Sequence, residues 1–369
     1  MNENQFSREF VSRRWLNIIL VGGLYASYYM IRYNFPLANK DLCQAFGWSM
    51  TDIGWVITGF FWVYAIGQLI NGTITDRIGG RKAILLGAFI SVGLNILIGG
   101  AEILNLVSNH IGIILNTMSI VGAFWILNGY FQAFGASAMV KINTSWFRRD
   151  ERGRYNGVFV LIIQVGRALI LIGGGFLLAM SWKMIFIIPA LVTLGVAIAC
   201  VIGLKNNPED LGFPPVEDKL EAEKISFFEN VARVFGRPVI WIFALAFFTT
   251  GIVRHGMEQW FPRYMQDVYG LDLRSGQFWF IGISLSVAAV LGAYFVGYIS
   301  DLLFKTRRGP PTALMYFGQM IMLLIFYFTG GKISALYDGT LLILIAFFLS
   351  GPHSLLGAVA AMDFGGRKG

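Results

Sequence analysis

The chain has 369 residues, 56% of them hydrophobic and 14% charged, with 44 glycines, a mean hydropathy of +0.63 and a formal net charge of +8. This composition excludes a soluble globular core and fits an all-α polytopic membrane protein. In such a chain a basic excess marks loop placement and not a nucleic-acid partner. Cys43 and Cys200 have no metal or redox spacing and read as small apolar packing residues.

Apolar runs of about 20 residues, enough to cross a ~30 Å hydrocarbon layer, lie near 15–38, 52–74, 83–104, 111–142, 156–180 and 183–203. The run after Arg13 and Arg14 is too long for a cleavable signal and lacks a small-residue cleavage site. A polar segment, KNNPEDLGFPPVEDKLEAEKISFFENVARVFGRP, interrupts the series and reads as a linker on the membrane surface. Four further runs follow near 239–264, 276–300, 311–330 and 340–362. The predicted division is therefore a six-helix bundle over 1–204, a cytoplasmic linker over 205–238 and a four-helix partial bundle over 239–369. With the N-terminus cytoplasmic, 20 lysines and arginines fall in cytoplasmic segments and 5 on the opposite face, a positive-inside pattern.

Arg32, Lys141, Arg167 and Arg254 remain inside spans. An arginine near the bilayer centre costs at least ~2.5–3.5 kcal/mol, so it faces a bundle interior or wet cavity and meets an anionic or carbonyl partner. Lys141, near the end of its span, reads as a snorkelling side chain.

Two stretches repeat. After span 2 the chain runs Gly72-x-x-x-Asp76-Arg77-x-Gly79-Gly80-Arg81-Lys82, and after span 8 it runs Gly297-x-x-x-Asp301-x-x-x-Lys305-x-Arg307-Arg308, an offset of 225. Arg32 lies 18 residues beyond Arg14 and Arg254 lies 17 beyond Arg237, so the two arginines sit at matching depth with an offset of 222. Such degenerate repeats imply two pseudo-symmetric halves with a site on the axis between them. Two guanidiniums at equal depth repel unless an anion stands between them, and tetrahedral phosphate accepts charge-assisted bidentate bonds from both. The alternative for Arg254 is pairing with Glu258, four residues on, whereas Arg32 has no acid within a turn.

The Gly72 to Lys82 stretch resembles the loop motif of the major facilitator superfamily, G-x-x-x-D-R-x-G-R-[RK], with one extra glycine before Arg81 and Lys82. YYMIRYNF in span 1, LNGYFQAFG in span 4, WFRRDERGRYNG after it, the linker NNPEDLGFPP and IVRHGMEQWFPRYM in span 7 are similar to the organophosphate:phosphate antiporters, whose relatives include sugar-phosphate sensors. The resemblance implies the major facilitator fold, with two six-helix halves. Here the second half is expected to be incomplete, about ten helices in all, because the residues around Asp363 match the end of span 4 and the counterparts of spans 5 and 6 do not follow. It also implies exchange of a small organophosphate for inorganic phosphate by alternating access. Arg32 and Arg254 would hold the phosphate, and Gly72, Asp76, Arg77, Gly79, Arg81, Lys82 and Asp301 would serve gating.

Arg167, with Gln164 before it, departs from the family pattern of a histidine and small residues in span 5; it either adds a third cation to the site or pairs with the missing helices. Tyr29, one turn from Arg32, leads the aromatic candidates, with Tyr33 beside it, while His255 replaces an aromatic family position next to Arg254. No nucleophile, metal cluster or phosphate-cradling glycine loop supports an enzyme, and no cofactor is expected. The expected partners are a phosphorylated small molecule, inorganic phosphate and the lipid bilayer of a bacterial inner membrane, with no nucleic acid and the protein a monomer. A sugar-phosphate receptor and a proton-coupled carrier of another organic anion are the competing readings.

Overall fold

Inside a bilayer no water bonds the peptide groups, so each apolar run must close its own hydrogen bonds and becomes a helix. The computed structural model describes residues 7–110, 116–216, 229, 235–304 and 309–364. Its helices, in chain order, are α1 (Arg8–Phe46), α2 (Met50–Ile78), α3 (Gly80–Gly99), α4 (Ala101–His110), α5 (Thr117–Gln132), α6 (Phe134–Trp146), α7 (Arg149–Met180), α8 (Met184–Gly203), α9 (Pro238–Tyr269), α10 (Gly276–Phe304), α11 (Gly309–Thr329) and α12 (Ala335–Phe364). Local signals fix the ends. Ser7 accepts the Phe10 amide at the start of α1, and Ser49 and Asp52 form a reciprocal capping box on α2.

Among the described residues, eight helices are long and apolar enough to cross a membrane: α2, α3, α7, α8, α9, α10, α11 and α12. The two remaining predicted spans are α1, whose polar residues dilute its hydropathy, and the fourth, which breaks at Ala133 into α5 and α6. About ten spans are therefore present, as the sequence reading expects. Lys219, Lys224 and Arg233 of the predicted linker lie outside the described residues, as do Lys305, Arg307, Arg308, Arg367 and Lys368.

The chain divides into two compact units, Met1–Asp218 and Lys219–Gly369. In the first, α1 packs on α7 and α8, α2 on α5 and α6, and α3 on α5, α6 and α8. Glycine permits the tightest contacts. A Cβ on Gly166 of α7 would stand 2.1 Å from the Ala26 carbonyl oxygen of α1, and one on Gly129 of α5 would stand 2.7 Å from that of Phe60 in α2. The interior of this unit also carries a polar chain. Asn34 donates to Asn95 at 2.9 Å, Asn95 reaches Asn128 at 3.5 Å, and Gln132 donates to Asn128 at 3.3 Å. All four side chains are buried, and mutual bonding offsets the cost of placing amides there.

The linker sequence does not simply lie on a surface. Its first residues close one end of the unit. Asn17 of α1 exchanges two hydrogen bonds with the Lys205 backbone, Trp146 of α6 donates to the Asn206 carbonyl, and the Arg81 amide of α3 donates to the Asn206 side chain at 2.6 Å. Pro208 is buried in the 3₁₀ turn that follows. At the same end Arg14 is buried in an aromatic shell of Phe10, Phe147 and Tyr155 and donates twice to Glu151, at 3.1 and 3.2 Å, tying α1 to α7. At the far end Lys183 is ion-paired with Glu102.

In the second unit α12 is central and packs on α9, α10 and α11. A Cβ on Gly292 of α10 would stand 2.0 Å from the Phe347 carbonyl oxygen of α12, so here too a glycine lets two backbones touch. Asp338, fully buried, accepts hydrogen bonds on one carboxylate oxygen from the Tyr264 and Tyr269 hydroxyls and the Gly331 amide, which fastens the end of α9 to the α11–α12 turn. Among the described residues no helix of this unit covers α9 as α7 and α8 cover α1, and only 6% of the most apolar stretch of α9 is buried.

Two stability predictions follow from these contacts. Overpacking costs about 1–3 kcal/mol, so Gly166→Ala should lower the thermal unfolding midpoint in detergent. Gly173→Ala, whose methyl meets nothing within 4 Å, should leave it unchanged or slightly raised. Asp338→Ala strands two hydroxyls and an amide, each worth about 1–3 kcal/mol when buried unpaired. It should lower the same midpoint more than Asp338→Asn, which keeps a carbonyl acceptor.

Candidate anion-binding site

Arg32 lies in the middle of α1, where it meets groups of its own helix and of neighbouring ones. Its Nε donates to Gln132 Oε1 of α5 at 2.7 Å, and its guanidinium carbon lies 5.0 Å from the Tyr29 ring centroid and 4.7 Å from that of Tyr64 on α2. Gln132 is held in turn, its amide donating to the Ile31 carbonyl at 3.1 Å and to Asn128. The amide oxygen is thereby aimed at Arg32, and the polar chain in the core positions the cation's one neutral acceptor.

These contacts leave the guanidinium unsatisfied. It has five N–H donors, and the buried Nη2 has no hydrogen-bond partner among the described residues. No carboxylate lies within ion-pair distance of it among them either. Arg14 shows the contrast: the same side chain, itself buried, takes both oxygens of Glu151. The aromatic faces contribute about 0.5–2 kcal/mol each by cation–π attraction but carry no net charge. An acceptor with negative charge is what this environment lacks.

Arg167 joins the same wall. Its guanidinium carbon sits 4.7 Å from the Tyr33 centroid, and Tyr33 stacks on Tyr29 at 5.8 Å with an interplanar angle of 18°. Gly166, pressed on Ala26, brings this stretch of α7 against α1. Gln164 lies one turn before it, half-buried.

In the second unit Arg254 of α9 donates from Nε to Glu258 Oε1 at 3.3 Å and from Nη1 to His353 Nε2 of α12 at 3.1 Å. Glu258 is 7% exposed, and His255 Nδ1 stands 3.9 Å from its other oxygen. The local acid weighed against phosphate in the sequence is thus in contact with Arg254. The expectation of two equivalent bare cations is corrected: Arg254 has a carboxylate partner one turn away, which helix periodicity imposes, and Arg32 has none.

Gln132 and Tyr64 did not stand out in the sequence, and His353 ranked there only as a lesser candidate, yet they hold the arginines. The missed signal is the repeat itself. Gln132 and His353 are 221 residues apart, nearly the offset of 222 between Arg32 and Arg254. Each unit bonds the arginine of its first span to a polar side chain of its fourth.

The predicted gating loop is engaged within the first unit. Lys141 of α6 donates to the Asp76 carboxylate at 2.9 Å and to its carbonyl at 3.0 Å, so Lys141 is an ion-pair partner and does not merely snorkel. Gly79 adopts φ +87°, a conformation that favours glycine, and the Arg81 guanidinium donates to the Val201 carbonyl of α8. Gly72 is half-buried on α2, and Arg77 and Lys82 are exposed. Asp301 lies near the end of α10, its side chain outside the described residues.

A model of the Major Facilitator Superfamily matches residues 21–369. The glycerol-3-phosphate transporter of Bacillus subtilis (strain 168) is 27% identical over 357 residues, covering 93% of this chain and 77% of that protein. The hexose-6-phosphate:phosphate antiporter of Escherichia coli (strain K12) is 26% identical over 376 residues, covering 95% and 75%. The membrane sensor protein UhpC of Salmonella typhimurium is 26% identical over 364 residues, covering 91% and 75%. These relatives bear out the resemblance carried by the motifs. Among solved structures, a bacterial homolog of the human lysosomal transporter spinster, inward-facing and unoccupied, matches with a TM-score of 0.73 at 16% identity over 96% of this chain and 76% of that one. The D-xylose-proton symporter matches at 0.65 and 16% identity over 92% and 81%. Both likenesses speak to the fold. With its family model spanning most of the sequence and its all-α, two-unit architecture, the chain belongs to the Major Facilitator Superfamily.

Proposed function

We propose that this protein is a secondary transporter of the inner membrane, its N-terminus cytoplasmic, that exchanges a small organophosphate for inorganic phosphate by alternating access. The observation that carries the reading is the buried Arg32 guanidinium, oriented by Gln132 and flanked by Tyr29 and Tyr64, with Nη2 unpaired among the described residues. A phosphate oxygen supplies the missing charge and acceptor together, and planar guanidinium takes two such oxygens at once. The names of the glycerol-3-phosphate and hexose-6-phosphate relatives support the same ligand class. In this reading Arg254 gives the second unit's contribution to the phosphate. Glu258 and His353 hold its guanidinium in place.

Exchange follows from the charge. Without an anion, occlusion would dry an uncompensated cation at Arg32, whose desolvation opposes closure; with phosphate bound, the pair enters the occluded state neutralised. The carrier moves its ligand without breaking a bond in it, and no side chain is assigned a catalytic role. The Asp76 loop, paired to Lys141 and joined through Arg81 to α8, takes the gating role in the first unit.

Reconstituted protein should take up labelled glycerol 3-phosphate or glucose 6-phosphate at least about tenfold faster into phosphate-loaded vesicles than into phosphate-free ones. Arg32→Lys, which keeps the charge and loses the planar fork, should cut that uptake by about tenfold or more. Equal uptake into both vesicle types would remove the exchange mechanism. Ligand binding with no transport at all would favour the receptor reading that the sensor relative suggests.

A further inference from the structure

Helix α3 starts on two glycines. Gly79, its N-cap, has no side chain to bond the first amides of the helix, and such amides need an acceptor from elsewhere. The linker supplies one: Asn206 Oδ1, 125 residues away, accepts the Arg81 amide at 2.6 Å. The fit around this bond is close. A Cβ on Gly79 would stand 2.9 Å from Asn206 Nδ2, and the φ of +87° there already favours glycine. A Cβ on Gly80, the glycine by which this loop exceeds the family motif, would stand 2.8 Å from the Ala138 carbonyl oxygen of α6. The start of α3 is thus seated against both α6 and Asn206. Asn206 is itself held. Its amide and that of Asn207 donate to Asp210 Oδ2 at 3.1 and 3.2 Å, its carbonyl accepts from Trp146 Nε1 at 3.1 Å, and Lys205 before it exchanges two hydrogen bonds with Asn17 of α1. Beyond it Leu211, Phe213 and Val216 pack on the apolar core of the unit, and Phe213 meets the Phe10 ring edge-on at 5.4 Å.

We propose that Asn206 is a positioning residue of the gating loop, and that residues 205–216 form a clip that fixes the start of α3 to the first unit. The inference rests on the exchange proposed for the protein and on the gating role of the Asp76 loop, and it names a control of that loop. Both ends of the loop are tied: Asp76 to Lys141 near the end of α2, and Arg81 to Asn206 and the Val201 carbonyl at the start of α3. A loop released at one end samples more arrangements and reaches the one that gating needs less often. The contacts of Arg32 with Gln132, Tyr29 and Tyr64 do not involve the clip, so turnover depends on it and ligand affinity does not.

Asn206→Leu keeps the volume and removes the acceptor, whereas Asn206→Asp keeps an oxygen in place and adds a charge that a helix N-terminus favours. In vesicles reconstituted with the full chain, Asn206→Leu should slow maximal phosphate–phosphate exchange by about fivefold or more, the factor of one net hydrogen bond. Its affinity for inorganic phosphate, measured by titration calorimetry, should stay unchanged, and Asn206→Asp should keep most of the rate. Amide hydrogen exchange over residues 80–84 should quicken in the Leu variant and not in the Asp variant. If Asn206→Leu does not fold, Asp210→Ala takes its place: it is exposed, removes the acceptor of the Asn206 and Asn207 amides, and should show the same split between rate and affinity. An undiminished rate in the variant that folds overturns the inference, as does an equal loss in Asn206→Leu and Asn206→Asp, or a loss of rate matched by a loss of affinity. If the unmodified protein binds phosphate but does not exchange it, the transport reading fails, and hydrogen exchange alone then decides whether Asn206 positions the loop.

Discussion

The structure of the first unit depends on how it accommodates one positive charge. A guanidinium in the middle of α1 cannot be neutralised by ionisation, because arginine keeps its proton at any physiological pH. The surrounding helices answer with what neutral side chains can give: an amide oxygen from Gln132, two aromatic faces, and a line of buried asparagines that fixes the amide. None of these contributes charge. The fold thus builds a rigid mount for Arg32 while withholding the carboxylate that it supplies without difficulty to Arg14.

The second unit meets the same constraint differently. Arg254 also reaches across to the fourth span of its unit, but it meets His353 there, and Glu258 one turn along its own helix takes the charge. The two copies keep the geometry of the repeat and divide the electrostatics unequally. Burial strengthens the Glu258 contact, since a carboxylate 7% exposed sees less screening than a surface ion pair.

Much of this was legible in the sequence, and the limits are physical. Apolar length reveals helices because lipid leaves the backbone no alternative, and the arginines stand out because their cost in that setting is high. Ala133 gave no warning that the fourth span would break, since alanine favours helix and the break lies between otherwise apolar segments. Gln132 went unmarked and His353 ranked low because an amide or imidazole within an apolar run is affordable for many reasons, and only the near-equal spacing of the two pairs singles them out. Lys141 and Asp76 are 65 residues apart, so their pairing depends on helix packing that local pattern does not encode. Within the linker, composition did not show that Lys205 and Asn206 are bonded to Asn17, Trp146 and Arg81.

The position of Arg167 joins packing to charge. A guanidinium on α7 can share a wall with Arg32 only if α7 comes within backbone contact of α1, and any residue other than glycine at 166 would hold the helices apart, since its Cβ would overlap the Ala26 carbonyl. The neighbouring glycine and arginine therefore act together: the first sets the interhelical distance, and the second uses it to reach Tyr33. Close packing is usually understood as a source of stability, but here it also places the second cation.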